Sequence, residues 1–166
     1  MSEHAAFSAG ALLRALIEGR VEFVVIGGLA AQAHGSPLIT EDLDICFDLD
    51  LDNLDRLAVV LRDLVAVRRG LPEHLRAPLD RAALRAGDIF TLRTRFGDLD
   101  LLARPDPGMD FQRLRSHAVE FGFEGLPVWM ADVDDLIAMK RAAGRPKDLL
   151  AIEHLAALRE ELDREP

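Results

Sequence analysis

At 166 residues, with apolar side chains at 49% and charged ones at 30%, the chain has the make-up of one globular domain spanning 1–166 rather than of a disordered or fibrous protein. Its net charge of −9 excludes a protein that holds nucleic acid by broad counterion release, and leaves room only for a nucleic-acid end delivered to a local site. The single cysteine, Cys46, excludes an internal disulfide, no apolar run nears the ~20 residues of a membrane span, and the N-terminus lacks a signal-peptide pattern, so a cytoplasmic setting is expected.

In chain order, Ser8 before AGALLRALIEG predicts a capped amphipathic helix, stopped at Gly19, within the first twenty residues. Val21 to Ile26 is β-branched and apolar and predicts a buried strand. Gly27-Gly28 turns the chain into a short helix, LAAQAH, which Gly35 to Pro37 breaks. Leu43 to Phe47 predicts a second strand, and Asp52 a helix cap for a run to Leu64. The stretch 65–86 is ambiguous, because Pro72 and Pro78 cut it into short pieces. Asp88 to Phe96 and Asp98 to Ala103, separated by Gly97, predict a hairpin. A helix near Asp110 to Ser116 and short strands at 119–123 and 128–130 follow. Asp132 caps a helix to Ala143, and Pro146 starts another to about Glu161, giving a C-terminal helical pair over 132–162. The order is α/β: a small mixed sheet with packed helices.

The chemistry concentrates in Ile26 to Ile45, IGGLAAQAHGSPLITEDLDI. On a strand, residues two apart share a face, so Asp42 and Asp44 project together while Leu43 and Ile45 face the core. Two carboxylates at ~4 Å and an effective dielectric near 20 repel by roughly 4 kcal/mol before screening. A divalent cation between them relieves this, and oxygen-only ligands favour Mg²⁺ or Mn²⁺. A third acid is expected from the run Gly97-Asp98-Leu99-Asp100-Leu101. Asp98 follows the turn glycine and can serve the turn, whereas Asp100 lies inside the strand between leucines. Asp100 is the choice.

These segments resemble the nucleotidyltransferase superfamily of polymerase-β-like fold. Its motif is an apolar residue, Gly-Gly or Gly-Ser, a spacer of about a dozen residues, and Asp-x-Asp between apolar residues. Here Gly27-Gly28, thirteen residues and Asp42-Leu43-Asp44 fit it, with Asp100 as the third carboxylate. The segment Asp135-Leu-Ile-Ala-Met-Lys-Arg-Ala-Ala-Gly-Arg-Pro-Lys-Asp148 is similar to the closing helices of a bacterial subgroup that includes toxins of toxin–antitoxin and abortive-infection systems. The resemblance implies that Asp42, Asp44 and Asp100 hold two Mg²⁺ (or Mn²⁺) ions and carry out metal-dependent transfer of a nucleotide from a nucleoside triphosphate to an acceptor hydroxyl. It implies that Gly27 and Gly28 cradle the triphosphate and that Lys140, Arg145 and Lys147 face the phosphates. The acceptor is open among a tRNA 3′ end, a protein and a small molecule, and a cognate antitoxin is a further expected partner.

The chain departs from the pattern at three places. Gly28 stands where many relatives carry Ser, with Ser36 as a substitute hydroxyl; Leu38 replaces a basic residue; Ala151 replaces an acid. These departures keep open a second reading, a catalytically degenerate member acting as a binding or toxin–antitoxin partner. Simpler roles stand beside the functional ones. Arg145, Lys147 and Asp148 suit a helix cap, His34 a helix end, Cys46 the core and Trp129 packing. The acidic run 48–52 lacks the glycine and glutamate of an EF-hand loop and reads as a strand exit and helix cap.

Overall fold

Ser8 opens the fold as its position before an apolar 3.6-residue pattern predicts. Its hydroxyl accepts from the Ala11 N–H at 3.2 Å, and α1 runs over Ala9–Glu18 with Leu12, Leu13 and Leu16 fully buried. The structure, a computed structural model, describes residues 5–166. Phe23–Ile26 forms β1, buried at every position, and α2 (Gly27–Ala33) follows without a loop. Such an abrupt change of direction needs the left-handed φ of +66° at Gly27. β2 is Asp42–Phe47 and α3 Leu51–Asp63. The helix cap is Asp50, which accepts from the Asp52 and Asn53 amides, so the start lies one turn-residue pair before the expected Asp52. Asp48 in turn accepts from the Asp50 amide at 3.1 Å, so the acidic run is indeed a chain of turn and cap acceptors.

The ambiguous stretch resolves into β3 (Val67–Arg68), a single 3₁₀ turn at Glu73–Leu75 and α4 (Arg81–Ala86), capped by Asp80. β4 (Ile89–Thr94) and β5 (Gly97–Leu102) are the expected hairpin. Then come α5 (Phe111–His117), β6 (Val119–Phe123), β7 (Leu126–Met130), α6 (Val133–Ala143) and α7 (Pro146–Leu162).

The seven strands form one mixed sheet in the order β3-β4-β5-β2-β1-β7-β6. β2 pairs parallel with β5 and β1 parallel with β7, while the other neighbours are antiparallel. β2 and β5 sit at its middle, and their inward residues Leu43, Ile45, Leu99 and Leu101 are completely buried beside Leu54 and Leu57 of α3. Asn53, also buried, ties α3 to the start of β1 and the exit of β2: its side chain accepts from the Glu22 amide at 2.7 Å and donates to the carbonyls of Glu22 and Asp48. The C-terminal pair packs as α6 on α7, and Leu155 of α7 joins the core, so the pair belongs to the sheet's acid-bearing side rather than standing apart.

Among the described residues no helix is long and apolar enough to cross a membrane.

Candidate active site

The register of β2 against β5 assembles the site. Asp44 lies opposite Asp100 and Asp42 opposite Asp98, so four carboxylates occupy one face of two adjacent strands. Three of them, Asp42, Asp44 and Asp100, each offer an oxygen within 4.8 Å of the other two. Leu43 and Ile45 point the other way into the core, as the alternation requires. The choice of Asp100 over Asp98 for this cluster is the one the strand interior suggested. Asp98 is not merely a turn residue, however: it accepts from Arg69 at 2.6 Å and from Arg93 at 3.4 Å.

Electrostatics follow from the crowding. Burial first, then Asp42 and Asp100, push the Asp44 carboxyl from 3.8 up to about 7, with Lys140 pulling the other way. Burial also raises Asp100, opposed by the Arg69 guanidinium, whose Nη2 lies 2.5 Å from Asp100 Oδ1. A half-buried all-oxygen cluster whose members resist ionising together is the donor set a hard divalent cation completes. The residues therefore fit the Mg²⁺ or Mn²⁺ that the motif implies.

The cluster opens into a cavity of about 520 Å³ between the sheet and the α6–α7 pair. Of the expected triphosphate residues, Gly27, Gly28, Ser36, Lys140, Arg145 and Lys147 all line it. Gly27 is needed for closeness as well as for its φ, since a Cβ there would lie 2.2 Å from Asp44 Oδ2. At Gly28 a Cβ would lie 2.8 Å from Thr40 Cβ and 2.9 Å from Thr40 Oγ1. The space of the missing serine is thus filled by Thr40, whose hydroxyl donates to Asp42 Oδ1 at 2.9 Å. Ser36 is buried on the cavity wall, and its Oγ accepts from the Leu38 amide.

The cations of the far wall are organised by one acid. Asp148, 1% exposed, accepts from Arg145 Nε at 2.8 Å, from the Arg145 amide at 3.2 Å and from Lys140 Nζ at 3.3 Å. It is held below the usual carboxylate range, chiefly by the Arg145 bond. The capping role expected for Arg145 and Asp148 and the cavity-lining role coexist, because the cap sits on the cavity wall. Ala151 and Leu38, the other two departures, also line the cavity and make those parts of its wall apolar.

Sequence reasoning missed Thr40 and Arg69. Thr40 is two residues before Asp42, the strand spacing, which is a usable signal. Arg69 lies in the stretch with no periodicity and carries none. The remaining singled-out residues have structural work. His34 Nε2 lies 2.9 Å from the Ala131 carbonyl with its ring edge-on to Phe121; the Cys46 thiol is buried and pushed up to about 12, chiefly by that burial; Arg115 stacks on Trp129 at 3.6 Å. A second close group, His117, Asp132 and Asp135, is explained by the Asp132 cap and by pairing of buried Asp135 with His117 and Arg113.

No protein-family model matches the sequence, and no curated protein matches it. Solved structures do match in shape. The lincosamide antibiotic adenylyltransferase LnuA, lincomycin-bound, superposes with a TM-score of 0.61 at 13% identity over 92% of this chain and 99% of that one. The antibiotic-resistance factor ANT(2'')-Ia, in complex with adenylyl-2''-tobramycin, gives 0.57 at 17% identity over 91% and 85%. An antigenic nucleotidyltransferase-like protein from Paracoccidioides brasiliensis gives 0.55 at 15% identity over 95% and 76%.

Proposed function

We propose that this chain, which has the nucleotidyltransferase fold, moves a nucleotide from a nucleoside triphosphate to a hydroxyl of a small organic acceptor, with Mg²⁺ or Mn²⁺ at Asp42, Asp44 and Asp100. The observation that carries the proposal is the convergence of three half-buried carboxylates with two backbone glycines and a cationic wall around one cavity. When bound, the divalent ions would supply charge neutralisation of the phosphates and of the oxygens entering and leaving.

The protein's own part can be stated residue by residue. The Gly27-Gly28 backbone, with no Cβ to obstruct it, lets the triphosphate lie against the chain. Lys140 and Arg145, held by Asp148, present fixed donors to the phosphates from the other side, and Lys147 adds a third charge. Asp100 stands at the β4 side of the acid row, where it accepts the proton of the attacking hydroxyl. Thr40 fixes Asp42 through its hydroxyl.

Support for a small acceptor comes from the cavity and from charge. Its wall includes Leu38, Ile39, Ile89, Leu102 and Pro105, and Ile39 is 89% exposed, an apolar side chain with no folding role at the mouth of a polar site. The net charge of −9 disfavours a long nucleic-acid footprint, and the structural neighbours LnuA and ANT(2'')-Ia were solved with lincomycin and with adenylyl-2''-tobramycin. The test is transfer of label from each of the four α-labelled triphosphates, with Mg²⁺, to a panel of hydroxyl-bearing small molecules that includes lincomycin and tobramycin, with bulk tRNA as the competing acceptor. Label on a small molecule that Asp44→Asn abolishes is the expected result. Label on tRNA alone overturns the acceptor, and metal-dependent triphosphate binding with no transfer to any acceptor favours the degenerate binding protein.

A further inference from the structure

Arg69 is placed with unusual economy for a side chain outside the motif. It follows the two-residue edge strand β3, and its amide donates to the Thr91 carbonyl at 2.9 Å. Thr91 pairs with Asp100, and Asp100 with Asp44, so Thr91, Asp100 and Asp44 form one row across β4, β5 and β2, with Arg69 joined to it just past the end of β3. From the end of that row the guanidinium reaches over β4 and forks. Nη1 donates to Asp98 Oδ2 at 2.6 Å and Nη2 to Asp100 Oδ1 at 2.5 Å. Asp98 and Asp100 are two residues apart on one face, a separation that a planar fork with two outward nitrogens spans and a single ammonium does not. Gly70, at φ +75°, then turns the chain away.

An exposed ion pair of the same composition occurs elsewhere: Arg81 bonds Asp55 with both partners about half exposed, and such solvent-screened pairs add little to stability. The Arg69 fork differs in three respects. Both of its acids are less exposed, the backbone behind it is pinned to the sheet, and one acid belongs to the metal-facing cluster. Arg93 also binds Asp98, from the opposite oxygen, which holds the anchor acid in place.

We propose that Arg69 is a positioning residue for Asp100: anchored on Asp98, it fixes the rotation of the Asp100 carboxylate by engaging Oδ1, so that Oδ2 is presented to the divalent ion and the acceptor hydroxyl. The inference rests on the metal-site reading above. Its content is geometric, and this gives it a sign that simple charge does not. Removing a cation near a dication site strengthens metal binding if Arg69 acts only as a charge. Removing it weakens metal binding if Arg69 orients a ligand, since partners that orient metal ligands are worth 10–100-fold in affinity.

The experiment is titration of the metal-free full chain with Mn²⁺ alone, followed by calorimetry and by the Mn²⁺ electron-spin signal, for the wild type, Arg69→Gln, Arg69→Lys, Asp98→Asn, Asp44→Asn and the surface control Arg81→Gln. The expected result is about tenfold weaker Mn²⁺ binding in Arg69→Gln, a smaller loss in Arg69→Lys and in Asp98→Asn, and no change in Arg81→Gln. Far-ultraviolet circular dichroism of each variant verifies folding, and Arg69→Lys, which keeps the charge, carries the test if Arg69→Gln unfolds. Tighter or unchanged binding in Arg69→Gln, or wild-type binding in Arg69→Lys, overturns the positioning role while leaving the metal site standing. Failure of the wild type to bind Mn²⁺ any better than Asp44→Asn overturns the metal-site reading itself.

Discussion

Asp44 and Asp100 are register partners on adjacent parallel strands, yet they live in different electrostatic worlds. Asp100 has a guanidinium in contact; Asp44 has Lys140 and Arg145 only at longer range, and its carboxyl is pushed to about 7. The difference teaches that the acid row is polarised along the sheet. Its β5 end is held by arginine from the sheet edge, and among the described residues no cation pairs with its β2 end. The α6–α7 wall repeats the device in reverse: there a buried acid, Asp148, holds two cations in place.

The largest effect is expected at the β2 end of the acid row. Asp44→Asn is expected to lower nucleotidyl transfer by at least roughly a thousandfold, on the order of 4 kcal/mol of barrier, measured as label transfer to the best acceptor found. It should do so while raising the thermal midpoint of the metal-free protein, because it removes a crowded carboxylate. Gly28→Ser is expected to destabilise the fold by about 1–3 kcal/mol, because the new side chain meets Thr40. Thr40→Gly in the same chain should recover most of this loss, as followed by urea unfolding. On the cationic wall, Lys140→Ala is expected to weaken triphosphate binding roughly tenfold, the worth of one charge-assisted bond, with Asp148 still held by Arg145. Calorimetry with ATP and Mg²⁺ reads this directly.

The smallest effect is on stability against pH. Because Asp44 titrates near 7 in the fold against 3.8 in the unfolded chain, its protonated form stabilises the metal-free protein. That contribution is fully present below about pH 3.8 and is lost as pH rises through about 7; the raised Asp100 acts in the same sense. Asp148, held low, acts in the opposite sense: its contribution is present above the ordinary carboxylate range and is lost only as pH falls below it. The metal-free melting temperature should therefore decline by a few degrees between pH 5 and 8. The decline should flatten in Asp44→Asn and be reversed by Mg²⁺ at pH 8.

How legible all this was depended on how local the cause was. The period-two alternation of Asp42-Leu43-Asp44 and of Leu99-Asp100-Leu101 declares both the strand and the face, because one side of each strand is core. The helix caps Ser8 and Asp132 were legible for the same reason: the cap and the amide it serves are three residues apart. The α3 start shifted to Asp50 because Asp48, Asp50 and Asp52 offer equivalent caps, and the tie of Asn53 to Glu22, across 31 residues, decides among them. Arg69 was illegible for a stronger reason. β3 is two residues long and shows no periodicity, and the partners of the arginine lie 29 and 31 residues ahead. Thr40 was visible by its spacing, but its role depends on how closely α2 approaches it at Gly28.

The most direct test of the central claim is calorimetric binding of the four nucleoside triphosphates, with and without Mg²⁺, to the wild type and to Asp42→Asn/Asp44→Asn. The account predicts binding that requires Mg²⁺ and disappears in the double variant while its fold persists. Triphosphate binding that is indifferent to both the metal and the two carboxylates would contradict it.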